Sequence, residues 1–338
     1  MKIAIYYPTY VGLSVRNYTD NVIRELVELG VEVMRFSERG KLPAETDIYW
    51  NPCLAGGSAP SRIFRRKLEK PVVVTLHGVA PLAMAWKEYF PSIPSALRGK
   101  VLNLRNFLLW QQCQGNINAI ITVSNYAKWE ITKYLKLKPE NIHPIHHGVD
   151  LTSFFPRNTI QKEEAYFFHV SAYQPKKNIN RVIDAYIQLK KNNQTIIPRM
   201  LIIAANSNKK WPIVNGLEII TQPKSHNKLR HIYQGALGFL FPSLQETFGM
   251  PILEAMASGC PVITSNTTGC IEVAGDAALL VNPRSVDEIT CAMQRLIEEP
   301  QLRVTLRRKG LERAKQFTWK KCAEEHLKVF KKVLTHGK

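Results

Sequence analysis

The 338-residue sequence is short of acids: 27 Asp and Glu stand against 46 Lys and Arg, a formal net charge of +19 at pH 7. That imbalance suits an anionic partner, whether nucleic acid, an anionic membrane surface or an anionic substrate, and it also fits a merely basic surface. Compact nucleic-acid motifs are missing, with no zinc-finger spacing and no RNP-like run, so nucleic acid is not expected as a partner. There is no C-x-x-C pair. The six cysteines, Cys53, Cys113, Cys260, Cys270, Cys291 and Cys322, are scattered and read as free, mostly buried thiols of a cytosolic chain. His143, His146 and His147 cluster in sequence, but no matching acid or Cys spacing supports a metal site. The chain has no basic N-region followed by an apolar stretch. No apolar run approaches the length that spans a bilayer. The expected localisation is cytoplasmic, with peripheral attachment to the inner face of a membrane as a further expectation from the charge.

What is present is more informative. The chain is long for one core and 45% hydrophobic, so two domains are expected. Residues 239–264, FLFPSLQETFGMPILEAMASGCPVIT, read as strand, polar loop, small-residue helix, turn and strand, one βαβ unit. Pro251 suits the first turn of that helix, and Gly259 the position just past its end. Glu246 falls in the loop and Glu254 about one turn into the helix. The helix start suits phosphate, through unpaired amides near Ile252 and Leu253 and the positive end of the dipole. Gly249 permits close approach to the backbone. A carboxylate on each side of a phosphate site accepts hydroxyls, so the pattern suggests polyols flanking a diphosphate: a nucleotide sugar. A solvated loop acid and a solvated helix acid are the plainer alternative.

Elsewhere, KIAIYY (Lys2 to Tyr7), a loop over Pro8 to Leu13, a helix over Tyr18 to Leu29 and a strand over Val31 to Phe36 read as an opening βαβ. PVVVTL (Pro71 to Leu76) is a parallel-sheet strand ending on His77, where open α/β sheets bind ligands. Ser95 to Trp110 carries Leu97, Val101, Leu104 and Leu108 at helical spacing among Arg98, Lys100 and Arg105. It reads either as a helix packed on the sheet or as a basic amphipathic helix for an anionic membrane. A basic run, Arg62, Arg65, Arg66, Lys67 and Lys70, precedes it.

The stretch ETFGMPILEAMASGCPVI resembles the E-x7-E motif of the retaining glycosyltransferases of family GT4. The segments VTLHG, ENIHPIHHGVD, YQPKKNINRVIDAY and EVAGDAALLVNP resemble the same family. The resemblance implies an α/β GT-B fold: two doubly wound Rossmann-like domains facing across a cleft. Residues 1–155 would be the acceptor-binding domain and 164–317 the nucleotide-sugar-binding domain. A linker would fall over Phe154 to Glu164, and a terminal helix, 318–338, would pack back on the first domain. By resemblance, Glu246 and the amides of Phe248, Gly249 and Met250 hold the donor sugar, and Glu254 accepts from the ribose. Lys177, Gly12, Ile252 and Leu253 meet the diphosphate, His77 faces the transferred sugar, and Gln222, Pro223 and Lys224 line the nucleobase pocket. Plain readings stand beside these: a tight-turn glycine at 12 and a solvated turn for Lys176 and Lys177. The family's usual Arg before that lysine is absent, since Ala172 stands there.

The implied reaction is sugar transfer from a nucleotide diphosphate sugar to a glycan or lipid-linked acceptor, with retention. The chain has no D-x-D, so no metal and no other cofactor is expected. UDP-glucose or UDP-glucuronate is favoured as donor, with GDP-mannose as the alternative. A nucleotide-sugar-binding protein without transfer is the reading from a different class.

Overall fold

The computed structural model describes all residues except 39, 91, 158–165, 193–196, 206, 208, 223–224 and 337–338. The chain divides into two units: Met1–Gly148 with Phe317–Lys338, and Val149–Gln316. The segment expected as linker lies largely in 158–165, outside the described residues.

The first unit holds β1 (Lys2–Tyr6), α1 (Leu13–Glu28), β2 (Glu32–Phe36), β3 (Ile48–Leu54), β4 (Val72–Leu76), α2 (Ala80–Ala83), α3 (Trp86–Tyr89), α4 (Ile93–Cys113), β5 (Ala119–Thr122), α5 (Asn125–Leu135) and β6 (Ile142–Pro144). The second holds β7 (Tyr166–Ala172), α6 (Ile179–Asn192), β8 (Arg199–Ala205), β9 (Leu217–Ile220), α7 (His226–Gly235), β10 (Ala236–Phe241), α8 (Met250–Ala257), β11 (Val262–Ser265), α9 (Gly269–Ala274), β12 (Leu279–Val281), α10 (Val286–Glu298) and α11 (Pro300–Lys315). The last helix, α12 (Trp319–His336), clusters with the first unit and packs along α1.

Each unit is built on a six-stranded sheet, ordered β2-β1-β3-β4-β5-β6 in the first and β9-β8-β7-β10-β11-β12 in the second. Every pairing is parallel. Parallel strands are covered on both faces and read as unbroken apolar runs. All five residues of β4 and the last four of β10 are accordingly buried. Local chemistry sets the helix ends. The Ser124 hydroxyl accepts the Ala127 amide at 2.9 Å to start α5. Gly259, at φ +75°, follows the end of α8.

Two expectations fail here. Helix α1 begins at Leu13, five residues ahead of the expected Tyr18. Its first turn faces solvent, with Leu13 exposed, so no apolar periodicity announces it. On α4 the packed face is not the expected one. Ala96, Gly99, Trp110 and Cys113 are buried, whereas Leu97, Val101, Leu104 and Leu108 are exposed. A Cβ at residue 99 would lie 2.2 Å from Phe90 Cζ, so this glycine lets the phenyl ring close on the helix.

Candidate functional site

The second sheet has the order 3-2-1-4-5-6 when its strands are numbered from β7, and such sheets bind ligands outside the strand ends where the order reverses. That switch point lies between β7 and β10. The loop after β7 makes a short 3-10 turn, Pro175–Lys177, and reaches α6 through Asn178 in the left-handed region, φ 62°. Asparagine tolerates this conformation. Its side-chain amide donates to Pro242 O at 2.8 Å and Pro283 O at 2.6 Å, binding the loops after β7, β10 and β12 together. Leu244 N donates to Lys176 O at 2.8 Å.

This scaffold brings Lys177 Nζ to 2.5 Å from Glu246 Oε1, with side-chain exposures of 16% and 10%. Burial pushes the Glu246 carboxyl up, but the Lys177 and Lys176 ammonium groups pull it further down, and the net shift is below the ordinary value. The same ammonium sits 5.2 Å over the Phe241 ring. Buried His169 donates from Nδ1 to Leu240 O at 2.8 Å, which leaves Nε2 to accept from Ser171 Oγ at 2.9 Å. Desolvation lowers its pKa to about 4, so it is neutral.

The backbone of Glu246 is held from the far side. Its carbonyl accepts from Gly269 N at 2.9 Å, and its amide meets Thr268 Oγ1 at 3.4 Å. A Cβ on residue 269 would stand 2.4 Å from Thr247 O, so only glycine permits this approach. Thr268 takes φ 64°, ψ −161°, a conformation that side chains rarely adopt and that costs about 1–3 kcal/mol. Strain of this kind collects at functional loops.

Gly249 precedes α8 at φ +108°, again a glycine requirement. Phe248 is buried and Met250 half-buried. The helix start is less open than the sequence pattern implies. Pro251 has no amide, and Ile252 N already donates to Gly249 O at 3.0 Å; Leu253 is buried behind them. Glu254 is half-buried on α8 and accepts from Tyr233 Oη at 3.3 Å. Desolvation raises its carboxyl to about 7, against a lowering by the tyrosine hydrogen bond.

Of the expected nucleobase residues, Gln222 is exposed, while Pro223 and Lys224 lie outside the described residues. Ala172 is exposed at the end of β7 and supplies no cation. The Lys176 ammonium is near enough to help lower the Glu246 pKa.

His77 and Gly12 belong to the first unit. His77 follows β4 and donates from Nε2 to Pro52 O at 2.9 Å; desolvation lowers its pKa to about 4. Its ring stands edge-on to Tyr18, centroids 4.7 Å apart, and 5.7 Å from His147. Gly12 caps α1 at φ −58°, with nothing within 4 Å of an added Cβ. No protein atom there requires glycine, and the open space beside it suits both a plain turn and close approach of a phosphate. Among the described residues, no three His, Cys, Asp or Glu side chains gather as a metal cage. No described helix is long and apolar enough to cross a membrane.

Asn178, Tyr233, Thr268 and Gly269 escape sequence reasoning. Only Asn178, an Asn between a lysine pair and a helix, carries a local signal.

Two doubly wound parallel sheets in one chain, with the binding switch point in the second, define the GT-B class. A sucrose-phosphate synthase from Thermosynechococcus elongatus shares the fold at a TM-score of 0.77 and 17% identity, over 99% of this chain and 100% of that one. Alr3699/HepE from Anabaena, solved with UDP and glucose, does so at 0.69 and 14% identity, over 98% and 100%. The family of glycosyl transferases group 1 matches residues 151–313, and Glycosyltransferase Family 4 matches 49–153. The two matches run unbroken from 49 to 313, and the chain belongs to the GT4 glycosyltransferases. O-antigen chain mannosyltransferase B of Escherichia coli is 27% identical over 63% of this chain and 60% of its own. An MMP α-(1→4)-mannosyltransferase of Mycolicibacterium hassiacum is 28% identical over 64% of this chain and 55% of its own. The chain thus matches little more than half the length of these curated relatives.

Proposed function

We propose that the chain transfers a hexosyl group from a nucleotide diphosphate sugar to a hydroxyl of a glycan or lipid-linked acceptor, with retention and without a metal. The observation that carries this reading is the buried Lys177–Glu246 pair at the switch point between β7 and β10. Glu246 fixes the ammonium where a diphosphate would develop charge, and its second oxygen remains to accept a sugar hydroxyl. Such preorganised charge is worth about 10²–10³ in rate per donor removed. The bond from the anomeric carbon to the leaving phosphate oxygen breaks as the bond to the acceptor oxygen forms. The acceptor proton passes to that phosphate oxygen, and no protein base is required. Glu254, once ionised, accepts from the ribose. The backbone of Phe248, Gly249 and Met250 holds the sugar, and His77 faces it on the strength of the family resemblance.

For the donor, the names of the curated relatives favour mannose, so GDP-mannose ranks above the UDP-sugars suggested by the sequence. The UDP and glucose in the Anabaena structure belong to a chain that shares only the fold. A thermal-shift panel with GDP, UDP, ADP and their sugar conjugates tests the reading. A ligand at 100 times its Kd adds about 2.7 kcal/mol of stability. A shift with one nucleotide family, lost in Glu254→Ala, supports the site. Release of free nucleotide from that donor separates a transferase from a mere binder. No shift with any nucleotide overturns the donor assignment.

A further inference from the structure

The proposed reaction leaves a buried polar network of the first unit without a task. Trp50, Thr75, Tyr18 and His326 are each at most 2% exposed. Trp50 Nε1 donates to Thr75 Oγ1 at 3.0 Å. His326 Nδ1 must donate to Cys322 O at 2.7 Å, so its Nε2 accepts from Tyr18 Oη, also at 2.7 Å. The Tyr18 oxygen then has lone pairs left for the Thr75 hydroxyl at 3.3 Å. Every proton is thereby assigned along one run, from Trp50 through Thr75, Tyr18 and His326 to the Cys322 carbonyl of α12. A buried network satisfied throughout is rigid. Tyr18 is no proton donor to a substrate, because its proton is committed to His326 and burial holds it on the oxygen.

What the fixed phenol ring touches is His77. The two rings stand at 88°, with centroids 4.7 Å apart. The Tyr18 ring also meets His147 at 4.7 Å, and His147 in turn stacks on Trp319 at 5.8 Å. Trp319 opens α12, and its backbone approaches so closely that a Cβ at residue 148 would stand 2.1 Å from Trp319 N. The terminal helix therefore holds Tyr18 twice, by His326 at the hydroxyl and by Trp319 behind His147. The His77 ring makes one hydrogen bond among the described residues, from Nε2 to Pro52 O at 2.9 Å. With the proton on Nε2, Nδ1 is an acceptor.

We propose that Tyr18, anchored by His326 of the terminal helix, is a positioning residue for His77, holding the imidazole on the Pro52 carbonyl so that Nδ1 is presented as acceptor to a sugar hydroxyl. One hydrogen bond fixes the tautomer of a histidine but lets the ring tilt about the bonded nitrogen. A second flat ring packed perpendicular to the first removes that freedom. Tight placement matters, since a shift of about 1 Å in a group that meets the reacting sugar can cost about 10²-fold in rate. The catalytic consequence rests on the reading of His77 as facing the transferred sugar. The hold of Tyr18 on the ring does not, because it is a property of the first unit alone.

Long-range proton–nitrogen NMR spectra of the full chain without donor, with labelled histidine, read the hold directly. Wild type is expected to show His77 as the single Nε2–H tautomer. Tyr18→Leu removes the ring and is expected to draw the two His77 nitrogen signals toward each other. It should lower kcat by about tenfold or more while the donor KM stays within about twofold. Tyr18→Phe keeps the ring and loses only the anchor, and should cost about threefold or less. In a His77→Ala background neither change is expected to lower kcat further, because each acts through that ring. A merely structural role would multiply with His77→Ala, so independent losses overturn the proposal, as do unmoved His77 signals in Tyr18→Leu. Should that variant fail to fold, His326→Phe removes the anchor at similar volume, and unmoved His77 signals there overturn it equally. Wild-type turnover in His77→Ala would instead sink the role given to His77 in the reaction, a failure that the nitrogen signals separate from the hold of Tyr18.

Discussion

Lys177 Nζ and Glu246 Oε1 stand 2.5 Å apart across 69 residues of sequence, at the meeting of the loops after β7 and β10. Each charge is sheltered enough to need the other. Removing one partner of such a pair typically costs about 3–5 kcal/mol, because the survivor is left buried and unpaired. Lys177→Met and Glu246→Gln are therefore each expected to lower stability by about that amount, and the double variant by clearly less than the sum. Urea unfolding of the four proteins measures this coupling. Turnover of donor should fall by about 10²–10³ in Lys177→Met even under conditions where it is fully folded. Additive stabilities would mean that the two groups do not depend on each other.

Glu254 supplies a pH dependence with a definite sign. Its carboxyl titrates near 7, so the anion proposed to accept the ribose forms as pH rises through neutrality. Donor affinity should increase by about tenfold between about pH 6 and about pH 8, and Glu254→Gln should flatten the curve. Tyr233 is fully buried, and its hydrogen bond lowers the Glu254 pKa. Tyr233→Phe is expected to move the rise to higher pH while leaving turnover at saturating alkaline conditions near wild type. Titration calorimetry with the nucleotide across this range measures the shift. An unmoved profile would remove Tyr233 from the account.

The sequence was most legible where local chemistry is self-contained. The buried strand PVVVTL, the proline in the first turn of α8 and the glycine after it act within a few residues, and each appears where expected. The E-x7-E pattern located both acids. What escaped is made by contacts across the chain. Asn178 bonds carbonyls 64 and 105 residues away, and Tyr233 reaches Glu254 over 21 residues. No window of sequence contains such partners. The outward stripe of α4 shows a different limit. Helical spacing reveals that a face is apolar, but not whether the fold covers it, and here Gly99 and its neighbours supply the packed side.

The buried histidines set the acid limit of stability. His77, His169 and His326 titrate near 4, and His147 is also well below its usual value, each chiefly through desolvation. His326 Nδ1 is 2.7 Å from Cys322 O and must donate there, so Nε2 accepts from Tyr18 Oη at 2.7 Å. The neutral ring meets both partners, and desolvation is what disfavours the charged one. Unfolded histidine takes up its proton at about 6.5, so the unfolded chain binds more protons as pH falls from there toward about 4. The stability these groups contribute is complete above that window and is lost as pH falls through it. Glu254 acts in the opposite sense between about 4.5 and 7, offsetting roughly one proton. Stability should still fall on acidification with a slope of about two protons or more. His326→Asn should shallow it. Unfolding midpoints in urea over this range measure the slope, and a flat curve would mean that these rings are already solvated in the native state.

Two glycines give opposite expectations, and the second of them tests how the loop around Glu246 is built. A Cβ at residue 269 would meet Thr247 O at 2.4 Å, Thr247 C at 2.6 Å and Glu246 O at 2.9 Å. These are backbone atoms and cannot swing aside, so Gly269→Ala must displace the segment that carries Glu246. At residue 12 an added Cβ meets nothing within 4 Å, and φ is an ordinary −58°. Gly12→Ala is expected to leave donor turnover within about twofold, as exposed substitutions without a special conformation usually do. Gly269→Ala is expected to raise the donor KM and lower kcat together, with far-ultraviolet circular dichroism unchanged because both sheets survive. Steady-state kinetics on the two variants decides the matter. A large loss in Gly12→Ala would support close contact of that glycine with the donor phosphates. Normal kinetics in Gly269→Ala would show that the position of Glu246 does not depend on the approach of the two loops.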